Sequence, residues 1–356
     1  MRKALRVGIV GGNPQRGWAH DAHVPALASL QQGFVLEAVS ARTQEVAEEA
    51  RAGFGAKRAF GDSLALVRDP DIDIVSVTVK VPEHRAIVLA ALAAGKHVYC
   101  EWPLGCDLAE AREMARAVGP DSHVMIGLQA LSSPAIRHAA KLVADGAMGP
   151  LRVMRVYSPT AGWGAEAPPF YAYLQDKRNG ATLETIAGGH TLAAMQALAG
   201  AYTEVDARNT ILQSQVRISG TDELIKRTCA DHMLVLGRHE SGCVSTLEVL
   251  GGSSQRPFSL ELIGETGWLK ISGGGAGGFQ AGFLKLESSF PSEPQPEPVA
   301  PDLRGAPLNL AESYTRLGDD IRSGTRTVPD FELAVRLTQL LQMIDRASTE
   351  GRRQQL

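Results

Sequence analysis

Over the first third of the chain, short runs of β-branched and aliphatic residues alternate with stretches of helical spacing. Leu5–Val10, Val35–Ser40, Ile72–Val77, His97–Cys100 and Val124–Gly127 are the strand candidates. Between the last two, Asp107 and Glu110 make a D-x-x-E start, and Ala111, Met114, Ala115 and Val118 recur on one helical face. Strands that alternate with helices predict parallel pairing through crossover helices, hence an α/β, doubly wound sheet. After a helix predicted over Pro134–Ala144 the pattern changes. Leu151–Tyr157, His232–Arg238, Gly242–Leu250, Ser259–Ile263, Gly267–Ile271 and Phe283–Glu287 read as strands separated by turns, which predicts a large, mostly antiparallel open sheet. The Pro-rich segment Pro291–Pro298 reads as an exposed loop, and helices are expected over Ala311–Ile321 and Phe331–Arg346. The expected organisation is therefore an α/β domain over residues 1–128 and an α+β domain over residues 129–356.

A length of 356 residues with 44% hydrophobic and 21% charged positions suits two packed cores rather than a disordered chain. The net charge is −3 with both signs dispersed, so no basic stripe is available for phosphates, and neither nucleic acid nor a membrane surface is an expected partner. The longest apolar run, Ala86–Ala94, has nine residues, against the roughly 20 that span a bilayer. Arg6 interrupts the apolar opening and Gly11-Gly12-Asn13-Pro14 ends it, which suits a first strand and not a signal peptide. Cys100, Cys106, Cys229 and Cys243 show no CxxC spacing, as expected of reduced thiols in a cytoplasmic protein. Gly273–Gly278 lacks a following Lys-Ser/Thr and reads as a turn.

The first strand runs into Gly11-Gly12-Asn13-Pro14-Gln15-Arg16-Gly17 and then a helix. A glycine turn at the first strand-to-helix junction is where a dinucleotide pyrophosphate sits, on backbone N–H groups at the helix start. Gly11 and Gly17 take the glycine roles, while Asn13 replaces the middle glycine in a turn longer than G-x-G-x-x-G. This predicts a Rossmann domain. The second strand ends Val39-Ser40-Ala41-Arg42-Thr43, with no carboxylate to bind a free ribose 2′-hydroxyl. Ser40, Arg42 and Thr43 suit a 2′-phosphate, so NADP(H) is expected ahead of NAD(H); the plainer reading of Arg42 is a surface side chain.

With these pieces the chain resembles the glucose–fructose oxidoreductase, inositol dehydrogenase and rhizopine-catabolism family of NAD(P)-dependent enzymes. Carrying the resemblance are the β-α-β start, His84, Gly95-Lys-His-Val-Tyr-Cys-Glu101-x-Pro103 and Gly188-Gly-His190. It is nearer still to the branch of the yeast galactose-regulon repressor, through Gly17-Trp18-Ala19, His23-Val-Pro25-Ala26, Glu101-Trp102-x-Leu104-x-Cys106, Leu128-Gln129, Ser133-Pro134 and Asp231-His232-x-Leu234. The residue reading and the resemblance together give an expected cofactor pocket lined by Gly11, Asn13, Gly17, Trp18, Ser40, Arg42, Thr43, Lys80, His84, Glu101, Trp102 and Gln129. It also implies a carbohydrate-like ligand, and a homodimer or homotetramer formed through the open face of the C-terminal sheet.

Two departures bear on chemistry. In the enzymes that this chain resembles, a lysine touches the substrate hydroxyl and an Asp four residues before the histidine completes the proton-transfer group; here those positions are Trp102 and Ile186. An indole only donates and an Ile does not titrate, so neither accepts a proton from an alcohol. His190 remains as the candidate catalytic base, since an imidazole near its ordinary pKa of ~6.5 serves at neutral pH; the alternative is a histidine kept to bind a ligand or cap a helix. Lys80, four residues before His84, is the candidate replacement, against a plain solvent-facing role. Tyr157, Trp163, Tyr171 and Tyr173 either line a sugar-sized cleft or belong to the core. His20 and His23 lack a third ligand at metal spacing, so no metal is expected. Two functions stand: an oxidoreductase acting on a secondary alcohol or carbonyl of a sugar, polyol or related cyclic compound, and a regulator that keeps the fold without turnover.

Overall fold

The computed structural model describes residues 3–253, 255–291 and 297–356. Two compact units are present, the chain up to Gln129 together with Pro298–Val335, and Ala130–Glu297 together with Arg336–Leu356.

In the first unit six parallel strands pair in the order β3-β2-β1-β4-β5-β6: β1 Leu5–Val10, β2 Phe34–Ser40, β3 Arg58–Phe60, β4 Ile74–Val77, β5 His97–Glu101 and β6 Val124–Gly127. Val7, Ile9, Val10, Ile74, Val75 and Val77 are fully buried, as expected of strands covered on both faces. Helices α1 Val24–Ser29, α2 Gln44–Phe54, α3 Ser63–Arg68, α4 Val81–Ala93 and α5 Leu108–Arg116 make the crossovers. The predicted D-x-x-E start is real: Asp107 Oδ1 accepts the Glu110 N–H at 2.9 Å, and the Glu110 carboxylate turns back to the Cys106 N–H. Strand order reverses between β1 and β4, and at such a switch point open α/β sheets bind ligands.

A division at residue 128 misses one segment. Pro298–Val335 belongs with the first unit because its helix Gly305–Ser323 sends Tyr314 into the hydrogen-bonded interior, where it meets His23 and Ser76. Arg322 also reaches the Gly33 carbonyl at 2.8 Å, and Pro329 accepts the Ile126 N–H of edge strand β6 at 2.9 Å.

The second unit opens with α6 Pro134–Ala144 and is built on an eight-stranded sheet. Leu151–Pro159 (β7) lies at its middle, parallel to Val244–Leu250 and antiparallel to Phe258–Gly264; the other long strands are Tyr202–Thr210, His232–His239, Trp268–Gly275 and Gly278–Ser288. The helix α7, Gly189–Ala199, and α6 pack against each other, and Thr191 of α7 hydrogen-bonds Ser158 of β7 at 2.9 Å. The opposite face is an open groove of about 1070 Å3 that Arg155, Tyr157, Leu234, Leu236, Glu248 and Arg256 help to line. The predicted loop at Pro291–Pro298 lies partly outside the described residues, at 292–296. No helix among the described residues is long and apolar enough to cross a membrane.

Candidate functional site

The turn after β1 is shaped by its glycines. Gly11 has φ +106°, and a Cβ there would meet Val79 Cγ1 at 2.8 Å. Gly12, which motif reading passes over, matters as much, because its Cβ would stand 2.3 Å from Val39 Cγ2. Both N–H groups are held by the Ser40 carbonyl, at 3.1 and 2.8 Å. Asn13 Oδ1 accepts the Gln15 N–H at 3.0 Å, an Asx turn that lengthens the loop without a middle glycine. Gly17 has φ +95° and no atom within 4 Å of an added Cβ. The Gly17 and Trp18 N–H groups have no hydrogen-bond partner among the described residues, and Trp18 caps the helix that begins at Ala19. Unpaired N–H groups at a helix start, beside a glycine with open space, fit the pyrophosphate of a dinucleotide.

At the end of β2, Arg42 and Thr43 are exposed. Thr43 Oγ1 already caps α2 by accepting the Val46 N–H at 3.3 Å. Ser40 must be removed from the phosphate set, since its side chain is fully buried and its hydroxyl pairs with Ser63 Oγ at 3.1 Å. Arg42 makes no ion pair among the described residues.

The ends of β4 and β5 carry the remaining cofactor-side residues. Lys80 is exposed at the N-cap of α4. His84 does not face a ligand: it is 1% exposed, with Nε2 3.0 Å from the Val79 carbonyl and Nδ1 3.0 Å from that of Pro103. Desolvation holds its pKa below the ordinary histidine value, and its role is to fix the loops on either side. The Trp102–Pro103 peptide is cis, and the Trp102 indole is buried. Glu101 is the most elaborated group. Its Oε1 accepts from His23 Nε2 at 2.9 Å, and its Oε2 accepts from the Gln129 side-chain amide. Burial raises the Glu101 pKa, opposed by the hydrogen bonds from His23 and Gln129. Gln129 Oε1 is buried without a partner, a free acceptor beside the carboxylate.

In the second unit, His190 lies in the first turn of α7, only 4% exposed. Its ring makes no hydrogen bond among the described residues, and Nδ1 is fully buried. Burial drives its pKa down to about 3, so the expectation of a base near 6.5 is corrected: His190 is a neutral imidazole at physiological pH. At Gly188, two residues earlier, an added Cβ would stand 2.9 Å from Met233 Sδ, so a side chain there would have to displace the Met233 thioether.

The four aromatic residues do not form one cluster. Ser158 faces α7, so its neighbour Tyr157 points to the opposite side of the sheet, where it lines the open groove under Arg256. Trp163 is buried at φ +58°, its indole donating to the Leu174 carbonyl at 3.1 Å. Tyr171 is exposed and packs on Phe170 with ring centroids 4.5 Å apart. Burial pushes the Tyr173 phenol up to about 12.

His20 pairs with Asp21 and His23 with Glu101 and Tyr314. Among the described residues no cluster of three His, Cys, Asp or Glu side chains is arranged for a metal ion.

Residues 5–127 match the family described as "Oxidoreductase family, NAD-binding Rossmann fold" (Gfo/Idh/MocA), and residues 134–273 match the Gal80p C-terminal domain. These matches identify a Gfo/Idh/MocA Rossmann domain at residues 5–127 and a Gal80p-like domain at residues 134–273. It is 32% identical over 232 residues to the dehydrogenase aclE of Aspergillus oryzae, an alignment of 64% of this chain and 63% of that one. It is 28% identical over 309 residues to the galactose/lactose metabolism regulatory protein GAL80 of Kluyveromyces lactis, covering 80% of this chain and 66% of the regulator. The chain thus spans just under two thirds of these two relatives. Among solved structures, an oxidoreductase domain protein from Kribbella flavida superposes with a TM-score of 0.86 at 24% identity over 99% of both chains. A levoglucosan dehydrogenase in complex with NADH and levoglucosan superposes with a TM-score of 0.84 at 20% identity, again over 99% of each. At these identities the superpositions establish the fold alone.

Proposed function

We propose that this chain is an NAD(P)-dependent oxidoreductase, NADP(H)-preferring, that transfers hydride at a secondary alcohol or carbonyl of a sugar, polyol or related cyclic compound. The observation that carries the reading is the Gly11–Trp18 turn, which offers the unpaired N–H groups of Gly17 and Trp18 at the carboxyl ends of the strands. Gly11, Asn13, Gly17 and Trp18 would hold the pyrophosphate, and Glu101, Trp102 and Gln129 would border the nicotinamide. Arg42 and Thr43 would meet a 2′-phosphate where an NAD-selective domain has a carboxylate; NAD(H) is the second choice. The cofactor, when bound, supplies or accepts the hydride.

In this reading the first unit holds the dinucleotide, and the second holds the carbohydrate-like substrate and assembles as a homodimer or homotetramer through its open sheet face. In this reading His190 hydrogen-bonds the substrate oxygen as a neutral imidazole, and Lys80, exposed at the N-cap of α4, is the second candidate catalytic residue. Four free thiols suit a reducing, cytoplasmic setting.

A regulator without turnover is the second reading, favoured by one set of observations: Trp102 and Ile186 do not titrate, and His190 is a weak base. Following reduced-cofactor absorbance with NADPH and a panel of ketoses, inososes and sugar lactones separates the two. Substrate-dependent loss of absorbance that disappears in His190→Ala supports the enzyme; tight NADPH binding with no oxidation across the panel supports the regulator.

A further inference from the structure

Helix α7, which carries His190 in its first turn, is preceded without a break by a widened turn, Glu184–Gly188. Here the Gly188 N–H bonds the Leu183 carbonyl at 2.9 Å, five residues back instead of the four of an α-helix. Such a turn holds one residue more than an α-helical one. Tightening it to α-helix would rotate the two sides by about 100° relative to each other, so the direction of His190 depends on the turn staying wide.

The turn is tethered at its first residue. The Ala230 N–H donates to Glu184 Oε1 at 3.0 Å, and the direction of this bond is fixed because a backbone N–H only donates. The anchor is itself held: the adjacent Asp231 N–H bonds the Thr210 carbonyl at 3.1 Å, and the Asp231 carboxylate pairs with the buried Arg227. For one such bond Glu184 is a destabilising choice. Its Oε2 is buried with no partner among the described residues, and burial raises its pKa. A half-satisfied buried carboxyl costs stability, and a residue that breaks this rule calls for a use other than packing.

We propose that Glu184 is a positioning residue: through Ala230 it keeps the widened turn from tightening to α-helix, and so sets the direction in which His190 points. The inference rests on the reading of His190 as the group that meets the substrate oxygen. It deepens that reading by naming what aims a ring that makes no hydrogen bond of its own among the described residues.

The test reads the ring itself. In protein carrying isotope-labelled histidine, the His190 Cε1–H resonance, assigned by its loss in His190→Gln, is followed at neutral pH. Glu184→Gln keeps an acceptor oxygen in the same shape and should leave the resonance in place. Glu184→Leu removes the acceptor and should shift it. Glu184→Asp, one methylene too short to reach Ala230, should shift it as well and carries the test if Glu184→Leu does not fold. Turnover should fall about a hundredfold in Glu184→Leu, the scale of a reacting group misplaced by about 1 Å, and stay within about threefold in Glu184→Gln. An unmoved resonance in Glu184→Leu and Glu184→Asp, or an equal shift in Glu184→Gln, overturns the inference and leaves the enzyme reading standing. A resonance shifted as expected, in a protein whose unaltered form turns over no substrate, sustains the tether and overturns the enzyme reading alone.

Discussion

Arg227 Nη1 and Asp231 Oδ2 meet at 2.6 Å with side chains only 0% and 4% exposed, one helical turn apart in sequence but on non-helical backbone. The guanidinium also bonds Gln175 Oε1 and the Gly164 carbonyl, and the carboxylate accepts the Leu212 and Gln213 N–H groups. One ion pair thus ties three loops of the second unit. Asp231→Ala leaves a buried cation without its counter-charge, and should cost about 3–5 kcal/mol of unfolding free energy. A loss under about 1 kcal/mol in urea titrations would show that the pair does not hold these loops.

The glycine turn separates crowding from backbone strain. Gly12→Ala drives a methyl into Val39, at 2.3 Å, and should destabilise the first unit by about 1–3 kcal/mol. Gly17→Ala has room but keeps φ near +95°, a strain of about 1–2 kcal/mol. In Gly17→Ala, NADPH affinity should fall further than thermal stability does, and the reverse order in Gly12→Ala is the expected contrast. Equal effects of the two variants on binding and melting would remove Gly17 from the ligand turn.

Arg42→Ala tests cofactor choice. NADPH should bind about tenfold more weakly or worse, as for the loss of a charge-assisted contact, while NADH affinity stays within about twofold. Equal losses for both would show that Arg42 does not read the 2′-phosphate.

Buried histidines make the fold acid-sensitive. Burial lowers His190 to about 3 and His97 to about 4, the latter helped by the neighbouring His123, and His84 is lowered as well. These groups stay neutral in the folded chain but protonate in the unfolded one below about 6.5. The unfolded state therefore binds more protons, and stability falls as pH drops, by about 1.4 kcal/mol per pH unit for each such histidine. The melting temperature should decline steadily from pH 6.5 to pH 4.5, ahead of the carboxylate range. A flat profile down to pH 5 would contradict neutral burial, and His190→Gln should reduce the slope.

Where side-chain periodicity and turn chemistry are local, the sequence was readable. The β1 run into Gly11-Gly12, the Asp107–Glu110 helix start and the antiparallel strands after Leu151 all appear where their patterns place them. Arg58–Phe60 was not visible, being three half-buried residues at a sheet edge. Tyr202–Thr210 was hidden by its polar composition, which an outer strand of the open sheet tolerates. The site was legible only in part, because its key pairings are distant in the chain. His23 carried a local signal, whereas Tyr314, 291 residues further on, had none. Ser40 looked available because the alternation of a strand does not say which face is covered. His190 looked like an ordinary base because burial, which sets its pKa, is a tertiary property.

Hydride transfer by this chain can be followed directly with an isotopic label. Purified protein is loaded with NADPH deuterated at the transferable position, incubated with a mixed metabolite extract, and the products are read by mass spectrometry. Deuterium is expected in a sugar, polyol or related cyclic alcohol, and is expected to be absent with His190→Ala. NADPH that stays bound with its label while no metabolite acquires deuterium would contradict the enzyme reading and leave the regulator.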